Sequence, residues 1–142
     1  MTTRNLPGSD AARHGAGDAD LTIMLGAHAA FRRDLVRLAR ATASPSRSDP
    51  ARRASIQAGW TTFKGQLHLH HTAEDTIVWP ALRQRLARSA HAQSVLDAME
   101  AEHAQIDPLL AAVDDAFAEP DGDRLGDAAD ALTTELTGHL GH

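Results

Sequence analysis

The chain has 142 residues, a usual length for one domain, with 42% hydrophobic residues, 4% aromatic residues and a formal net charge of -5. It contains no cysteine, which excludes disulfides, thiolate metal sites and cysteine nucleophiles, and its acids and bases are interspersed without the basic stripe of a nucleic-acid-binding protein. Neither an apolar run of about 20 residues nor the apolar centre of a signal peptide is present, so we expect no membrane partner and a cytoplasmic protein.

The N-terminal part of the sequence predicts a tail followed by the first helix. Residues 1–19 are small, polar and rich in glycine, which is typical of a flexible tail. A helix then runs from about Asp20, which can cap it, to about Ala41. The segment TASPSRSDP ends this helix, because serine and proline clusters break helical patterns. We expect the folded domain to extend from residue 20 to residue 142.

Three further helices follow. The second begins with a capping acid and a proline near residue 49, and Pro80 is expected to kink or end it, with a continuation as far as residue 88. The third covers about 91–118, and the fourth runs from about 123 to the end. Helices joined by short links predict an all-α fold, namely an up-down-up-down antiparallel four-helix bundle.

Each predicted helix carries one histidine among the apolar residues of its buried face. Buried positions recur at steps of three and four, as one face of a helix requires. The predicted faces are Leu21, Leu25, His28, Phe31, Leu35 and Leu38; Ile56, Trp60, Phe63, Leu67, His70, Glu74 and Ile77; Leu96, Met99, His103, Ile106, Leu110, Val113 and Phe117; and Leu125, Ala129, Leu132, Leu136 and His139. A single histidine of this kind is usually a hydrogen-bonded core residue. Four together with an acid favour a buried cation, because imidazole nitrogens and carboxylates are its natural ligands.

The segment QLHLHHTAEDTIVWPAL holds the densest group of candidate ligands. His70 and Glu74 are four residues apart, so they lie one turn apart on one face and are expected to point inward. His71 and Asp75 repeat that spacing about 100° around the helix, and we interpret them as supporting or helix-contact groups that flank the site, with a direct role as ligands as the alternative. His68 is expected to face solvent.

Four segments form a pattern known from one protein family: LGAHAAFRRDLVRL, HHTAEDTIVWPAL, AEHAQIDPLL and TGHLGH. In these segments the chain resembles the hemerythrin-like family, the HHE cation-binding domains, over nearly its whole length after the tail. The resemblance implies a four-helix bundle that holds a non-heme centre of two iron ions. The metal ligands that it implies are His28, His70, Glu74, His103 and His139.

The chain departs from the family pattern at two places. Some members carry a second histidine four residues after the third helix's ligand, where this chain has Asp107. The family also places an acid one turn after the last histidine; this would be position 143, so we expect a bundle that is truncated at its C-terminus. Asp107, Glu102, Glu135, the terminal carboxylate or bridging hydroxide would then balance the charge of two irons, and His142 could add a nitrogen. A single metal ion, or none, is the alternative.

The resemblance also implies a function. It is typical of a protein that binds or reacts with O2, peroxide or nitric oxide, in sensing, storage or detoxification. Peroxidase-like or ferroxidase activity at the same site is an open alternative. A third hypothesis is a metal-free or zinc-stabilised helical interaction module whose arginines, Arg32, Arg33, Arg37 and Arg40, meet an acidic partner, although such a face is usually just solvated. We expect a monomer or a weak oligomer.

Overall fold

The computed structural model of the protein describes residues 10–119 and 123–141, with side chains from 25–119 and 124–141. The elements in chain order are α1 (Asp10–Ala43), a 3-10 helix (Pro45–Ser48), α2 (Pro50–Ala73), a π-helical turn (Glu74–Val78), α3 (Trp79–Arg85), α4 (Ala90–Ala118) and α5 (Asp123–Leu140). Within these ranges the protein is helical and has no strand, so the predicted all-α class is confirmed. None of the described helices has the length and hydropathy needed to span a bilayer.

The chain divides into two compact units, residues 1–30 and 31–142, and the boundary falls inside α1. In the first unit α1 begins at Asp10 rather than at the predicted cap, Asp20. Alanine, which has the highest helix propensity, recurs through residues 10–20 and extends the helix into the segment predicted to be a tail. Residues 1–9 lie outside the described part. Leu25, predicted to be buried, is 66% exposed.

The core of the second unit follows the predicted apolar faces of α1, α2, α4 and α5. Its residues without exposed surface include Leu35, Leu67, Val113, Leu125, Ala129, Leu132 and Leu136. Fully burying one leucine or valine side chain stabilises a fold by about 1.5–3 kcal/mol, so this repeated pattern is the main source of packing energy. The rings of Phe31 and Phe63 add an edge-to-face contact between α1 and α2, with centroids 5.7 Å apart.

Polar caps fix where the helices of the second unit begin. The Asp49 side chain accepts a hydrogen bond of 3.2 Å from the N–H of Arg52, and Pro50 occupies the first turn of α2, as predicted. At the start of α4, the Ser89 hydroxyl accepts a 3.1 Å hydrogen bond from the N–H of Ala92. These caps satisfy amide groups that the first turn of a helix leaves without partners.

A π-helical turn separates α2 from α3 just before Pro80, and the backbone stays helical through it as far as Arg85. Trp79 donates its N–H to the carbonyl of Glu74, five residues earlier, which is the hydrogen bond of a π-helix. In a regular α-helix the ring of Pro80 would clash with the carbonyl four residues back, and the wider turn relieves that clash. The turn also rotates the following residues. Ile77, predicted to be buried, is therefore 68% exposed, whereas Trp79 is 6% exposed.

Polar contacts tie α2 to α4. The Nη2 atom of Arg53 lies within hydrogen-bond distance of three carbonyl oxygens at the end of α4, those of Ala116 (3.2 Å), Phe117 (3.0 Å) and Glu119 (2.6 Å). Further along α2, Trp60 donates its indole N–H to Asp114 Oδ1 at 2.8 Å. A cation at the C-terminal end of a helix also complements the helix dipole. Early residues of α2 are therefore held to late residues of α4.

Candidate metal centre

Four buried side chains bring nitrogen and oxygen donors together inside the second unit. They are His71 on α2, Glu74 on the π-helical turn, His103 on α4 and His139 on α5. One donor atom from each lies within 4.8 Å of those from the other three. All four residues are buried, although titratable groups are rarely buried unless they are paired or bind a metal. We name this set the donor cluster.

Two nitrogen atoms of the donor cluster lack a hydrogen-bond partner. They are the Nε2 atoms of His71 and His103, and both are inaccessible to solvent. Glu74 Oε2 lies 3.0 Å from Nε2 of His103, close enough for an ion pair, but the two atoms are not aligned as a hydrogen bond. Leaving such a group unsatisfied costs about 1–3 kcal/mol. A cation between these donors would remove that cost, so the residues fit a metal site.

Carboxylates hold the other ring nitrogen of two cluster histidines. Nδ1 of His103 lies 3.0 Å from Asp75 Oδ1, and Nδ1 of His139 lies 2.6 Å from Glu102 Oε2. Metal-binding histidines generally use one ring nitrogen for the ion and the other for such a partner. The partner leaves Nε2 of each ring to face the cluster.

The electrostatics of the cluster favour a neutral His71 and an ionised Glu74. Burial, and then the nearby rings of His103 and His139, lower the pKa of His71 to about 3. Burial opposes ionisation of Glu74, but the adjacent His103 and His70 outweigh it and hold the pKa of this carboxyl well below its usual range. Burial likewise opposes protonation of His103, but the carboxylates of Glu74 and Asp75 raise its pKa. A neutral imidazole and a carboxylate are the forms that bind cations.

The remaining predicted ligands are placed as follows. His70 is largely buried, and its Nε2 lies 2.8 Å from Glu74 Oε1, so the two oxygens of Glu74 face different histidines, His70 and His103. The ring of Phe31 packs edge-on against His70, with centroids 5.4 Å apart. His28 belongs to the first unit, where its side chain is buried, and it stays a predicted ligand.

His71 is the member of the donor cluster that sequence reasoning missed. It was predicted to flank the site, but its ring is buried and stacks on that of His103 at a centroid distance of 4.0 Å and an interplanar angle of 15°. His71 follows the buried Leu67 by four residues on the regular part of α2, so steps of three and four place it on the buried face as readily as His70. That spacing from Leu67 is the signal in the sequence. His68 is exposed, as predicted.

The other acids considered as sources of negative charge take different places. Glu102 contacts the ring of His139 rather than joining the donor cluster. Asp107 and Glu135 are exposed, and among the described residues neither belongs to the cluster. Asp75, interpreted as a supporting group, does contact a cluster histidine, His103. His142 lies outside the described residues.

A model of the hemerythrin HHE cation-binding domain matches residues 17–142 of the chain. The chain belongs to this family. The family resemblance expected from the four sequence segments is thereby confirmed, and the matched range contains every residue of the donor cluster. Comparison of this HHE domain with curated proteins and with solved structures found no match.

Proposed function

We propose that this HHE domain is a non-heme iron protein that binds or reacts with O2, peroxide or nitric oxide, in sensing, storage or detoxification. The observation that carries the proposal is the buried donor cluster of three histidines and one glutamate in a cation-binding domain. Imidazole and carboxylate ligands suit iron, and four protein donors leave room for a small ligand. When bound, iron would supply one-electron chemistry and open coordination positions, and the burial of all four donors limits the access of water.

The proposal includes two iron ions, with His28, His70, Glu74, His103 and His139 as ligands and His71 added to them. Two features support a second ion. The oxygens of Glu74 face His70 at 2.8 Å and His103 at 3.0 Å, as a carboxylate shared by two ions would. His28 occupies the buried face predicted for the first helix. Asp75 and Glu102, each one hydrogen bond away, add negative charge beside the single carboxylate of the cluster.

The predicted up-down-up-down antiparallel bundle is part of the same proposal. The contacts of Arg53 with the last residues of α4, and of His71 with His103, pair rising residue numbers on α2 with falling numbers on α4. That order is the one expected for antiparallel neighbours. Such a bundle builds metal sites in its core from side chains on facing helices. We further propose a cytoplasmic monomer or weak oligomer.

A zinc-stabilised interaction module is the second candidate. Four donors match the tetrahedral coordination that structural zinc prefers. The arginine face offers this candidate less support, because three of its members have partners within the chain. Arg32 donates to the carbonyl of Leu140 at 2.9 Å. Arg33 and Arg37 lie 3.5 Å and 3.7 Å from a carboxylate oxygen of Asp34.

Metal analysis followed by ligand exposure tests the proposal. The chain would be expressed with added iron, its metal-to-chain ratio measured, and its reduced form exposed separately to O2, hydrogen peroxide and nitric oxide while the visible spectrum is recorded. We expect one or two irons per chain and a spectral change with at least one ligand. His68→Gln should leave both results unchanged, whereas His103→Gln should abolish them. Zinc in place of iron, with no response to any ligand, would support the interaction module instead.

The same experiment addresses enzymatic activity. If the iron-loaded chain consumes hydrogen peroxide continuously and faster than an equal amount of free iron, it acts as an enzyme. If it reacts once per site and stops, it binds or senses the ligand. His68→Gln again serves as the matched control, because this histidine lies on the same helix and is exposed.

A further inference from the structure

Two acids outside the donor cluster each contact a histidine on a neighbouring helix. Asp75, on the π-helical turn, meets Nδ1 of His103 on α4 at 3.0 Å, and Glu102, on α4, meets Nδ1 of His139 on α5 at 2.6 Å. We propose that Asp75 and Glu102 are positioning residues that fix the ring orientation and the tautomer of the two histidines. This deepens the proposed function, on which its cation-binding part rests.

The tautomer follows from the chemistry of the contacts. An ionised carboxylate only accepts hydrogen bonds, so a ring nitrogen that is hydrogen-bonded to it, as each Nδ1 is here, carries the proton. With the proton on Nδ1, the Nε2 atom of a neutral ring presents a lone pair, which is the form that binds a metal ion. For His103, Asp75 is the carboxylate that is hydrogen-bonded to the ring, because the buried Nε2 lies 3.0 Å from Glu74 Oε2 without the alignment of a hydrogen bond. Asp75 and Glu102 therefore prepare the two rings before any cation arrives.

Each positioning acid is the immediate sequence neighbour of a cluster residue. Asp75 follows Glu74, and Glu102 precedes His103. Consecutive helical residues point about 100° apart, so one member of each pair can face the cluster while the other reaches a neighbouring helix. The two contacts are therefore linked in series: Asp75 positions His103, and Glu102, the residue beside His103, positions His139. A displacement of α4 would disturb both rings together.

Glu102 is also reachable from outside. It lines a cavity of about 210 Å³ between α4 and α5, together with Glu135 and the ring of His139. One water occupies about 30 Å³ of liquid volume, so a small carboxylate such as acetate fits in this space. Truncating Glu102 would open more room beside Nδ1 of His139. This makes chemical rescue by acetate a specific test of the positioning role.

The experiment uses the full chain and two readouts. Nitrogen-15 NMR of the metal-free protein, recorded at a pH high enough for the spectra to show neutral imidazole rings, reports which ring nitrogen carries the proton. Competition with a chromophoric chelator gives the affinity for Zn²⁺, used as the probe. Glu102→Ala should remove the Nδ1–H form of His139, Asp75→Ala should do the same for His103, and each should weaken Zn²⁺ binding by about 10- to 100-fold.

Glu135→Ala is the matched control, because Glu135 is exposed, carries the same charge and lines the same cavity. It should change neither readout. Acetate should restore part of the Zn²⁺ affinity of Glu102→Ala and should leave the affinity of Glu135→Ala unchanged. Should Glu102→Ala not fold, Glu102→Gln keeps an acceptor oxygen and should keep the Nδ1–H form with reduced affinity.

The outcomes separate this inference from the proposed function. Unchanged tautomers in folded Glu102→Ala and Asp75→Ala would overturn the positioning role, and so would an equal loss of Zn²⁺ affinity in Glu135→Ala, which would reflect charge alone. A chain that takes up no iron, yet shows Nδ1–H tautomers that depend on these two acids, would defeat the iron proposal and support the positioning role.

Discussion

Replacing His71 with leucine should move stability and metal affinity in opposite directions. His71 is buried and its Nε2 has no hydrogen-bond partner, so in the metal-free chain the ring is a desolvated polar group. Leucine has a similar size, fills the same space and needs no partner. The substitution therefore removes a cost from the metal-free chain and removes a donor from the metal-bound chain. His71→Leu should be more stable without metal and weaker in binding it.

Both magnitudes follow from the structure. An unsatisfied buried polar group costs about 1–3 kcal/mol, which is the expected gain in the free energy of unfolding without metal. For a domain of this length that gain raises the melting temperature by about 3–10 °C. Structural zinc sites bind with about 10–16 kcal/mol, so one of four donors contributes about 2.5–4 kcal/mol. Loss of His71 should then weaken binding by about two to three orders of magnitude.

Circular dichroism melts with a chelator and with added Zn²⁺ measure both effects on one sample. His68→Leu is the control, since His68 lies on the same helix, is exposed and should change stability by less than about 0.5 kcal/mol. A His71→Leu chain that binds Zn²⁺ as tightly as the unaltered chain would refute the placement of His71 among the donors. A lower melting temperature without metal would refute the argument from the unsatisfied nitrogen.

Three further predictions concern pH, packing and metal removal. In the metal-free chain, the free energy of unfolding should fall as the pH drops from about 6.5 toward 3, because the unfolded chain protonates His71 whereas its folded pKa is about 3. Urea titrations across this range should show that loss of stability, and the loss should be smaller in His71→Leu. The raised pKa of His103 has the opposite effect: its contribution to stability is complete below the ordinary histidine pKa and is lost as the pH rises through the pKa of the folded chain. Trp60→Ala should cost about 3–5 kcal/mol in chemical denaturation, because Trp60 is 2% exposed and donates to Asp114; Trp60→Phe should cost less, and equal costs would contradict this reasoning. Chelation should lower the melting temperature, since a metal at about 100 times its dissociation constant adds about 2.7 kcal/mol; an unchanged value would exclude a bound metal.

Much of the helical framework could be predicted from sequence because its signals are local. Asp49 and Pro50 mark the start of α2 in the printed sequence as they do in the structure. The steps of three and four along α5 locate a face from Leu125 to His139 that is buried at each predicted position. Leu25 was assigned wrongly because periodicity identifies an apolar face without showing whether another element covers it.

The donor cluster was predicted less completely, for a reason confined to one turn. His103 and His139 lie on faces that apolar neighbours define on regular helices. His70 and His71 follow the buried Leu67 by three and four residues on the regular part of α2, so periodicity alone does not choose between them. The π-helical turn after them changes the angle between successive residues, and Ile77, which had been used to set the register, is exposed. The contacts of Asp75 and Glu102 join different helices and leave no periodic signal.

The contact between Arg53 and the end of α4 bears on how the site behaves when it is empty. This contact lies around Phe117, fourteen residues beyond His103, or about 21 Å along the helix at 1.5 Å per residue. A helix anchored that far from its functional residue can tilt but cannot slip by a turn. His103 should therefore remain level with His71 whether or not a cation is present. Loading would then require only small side-chain movements, and release would leave the two helices in the same alignment.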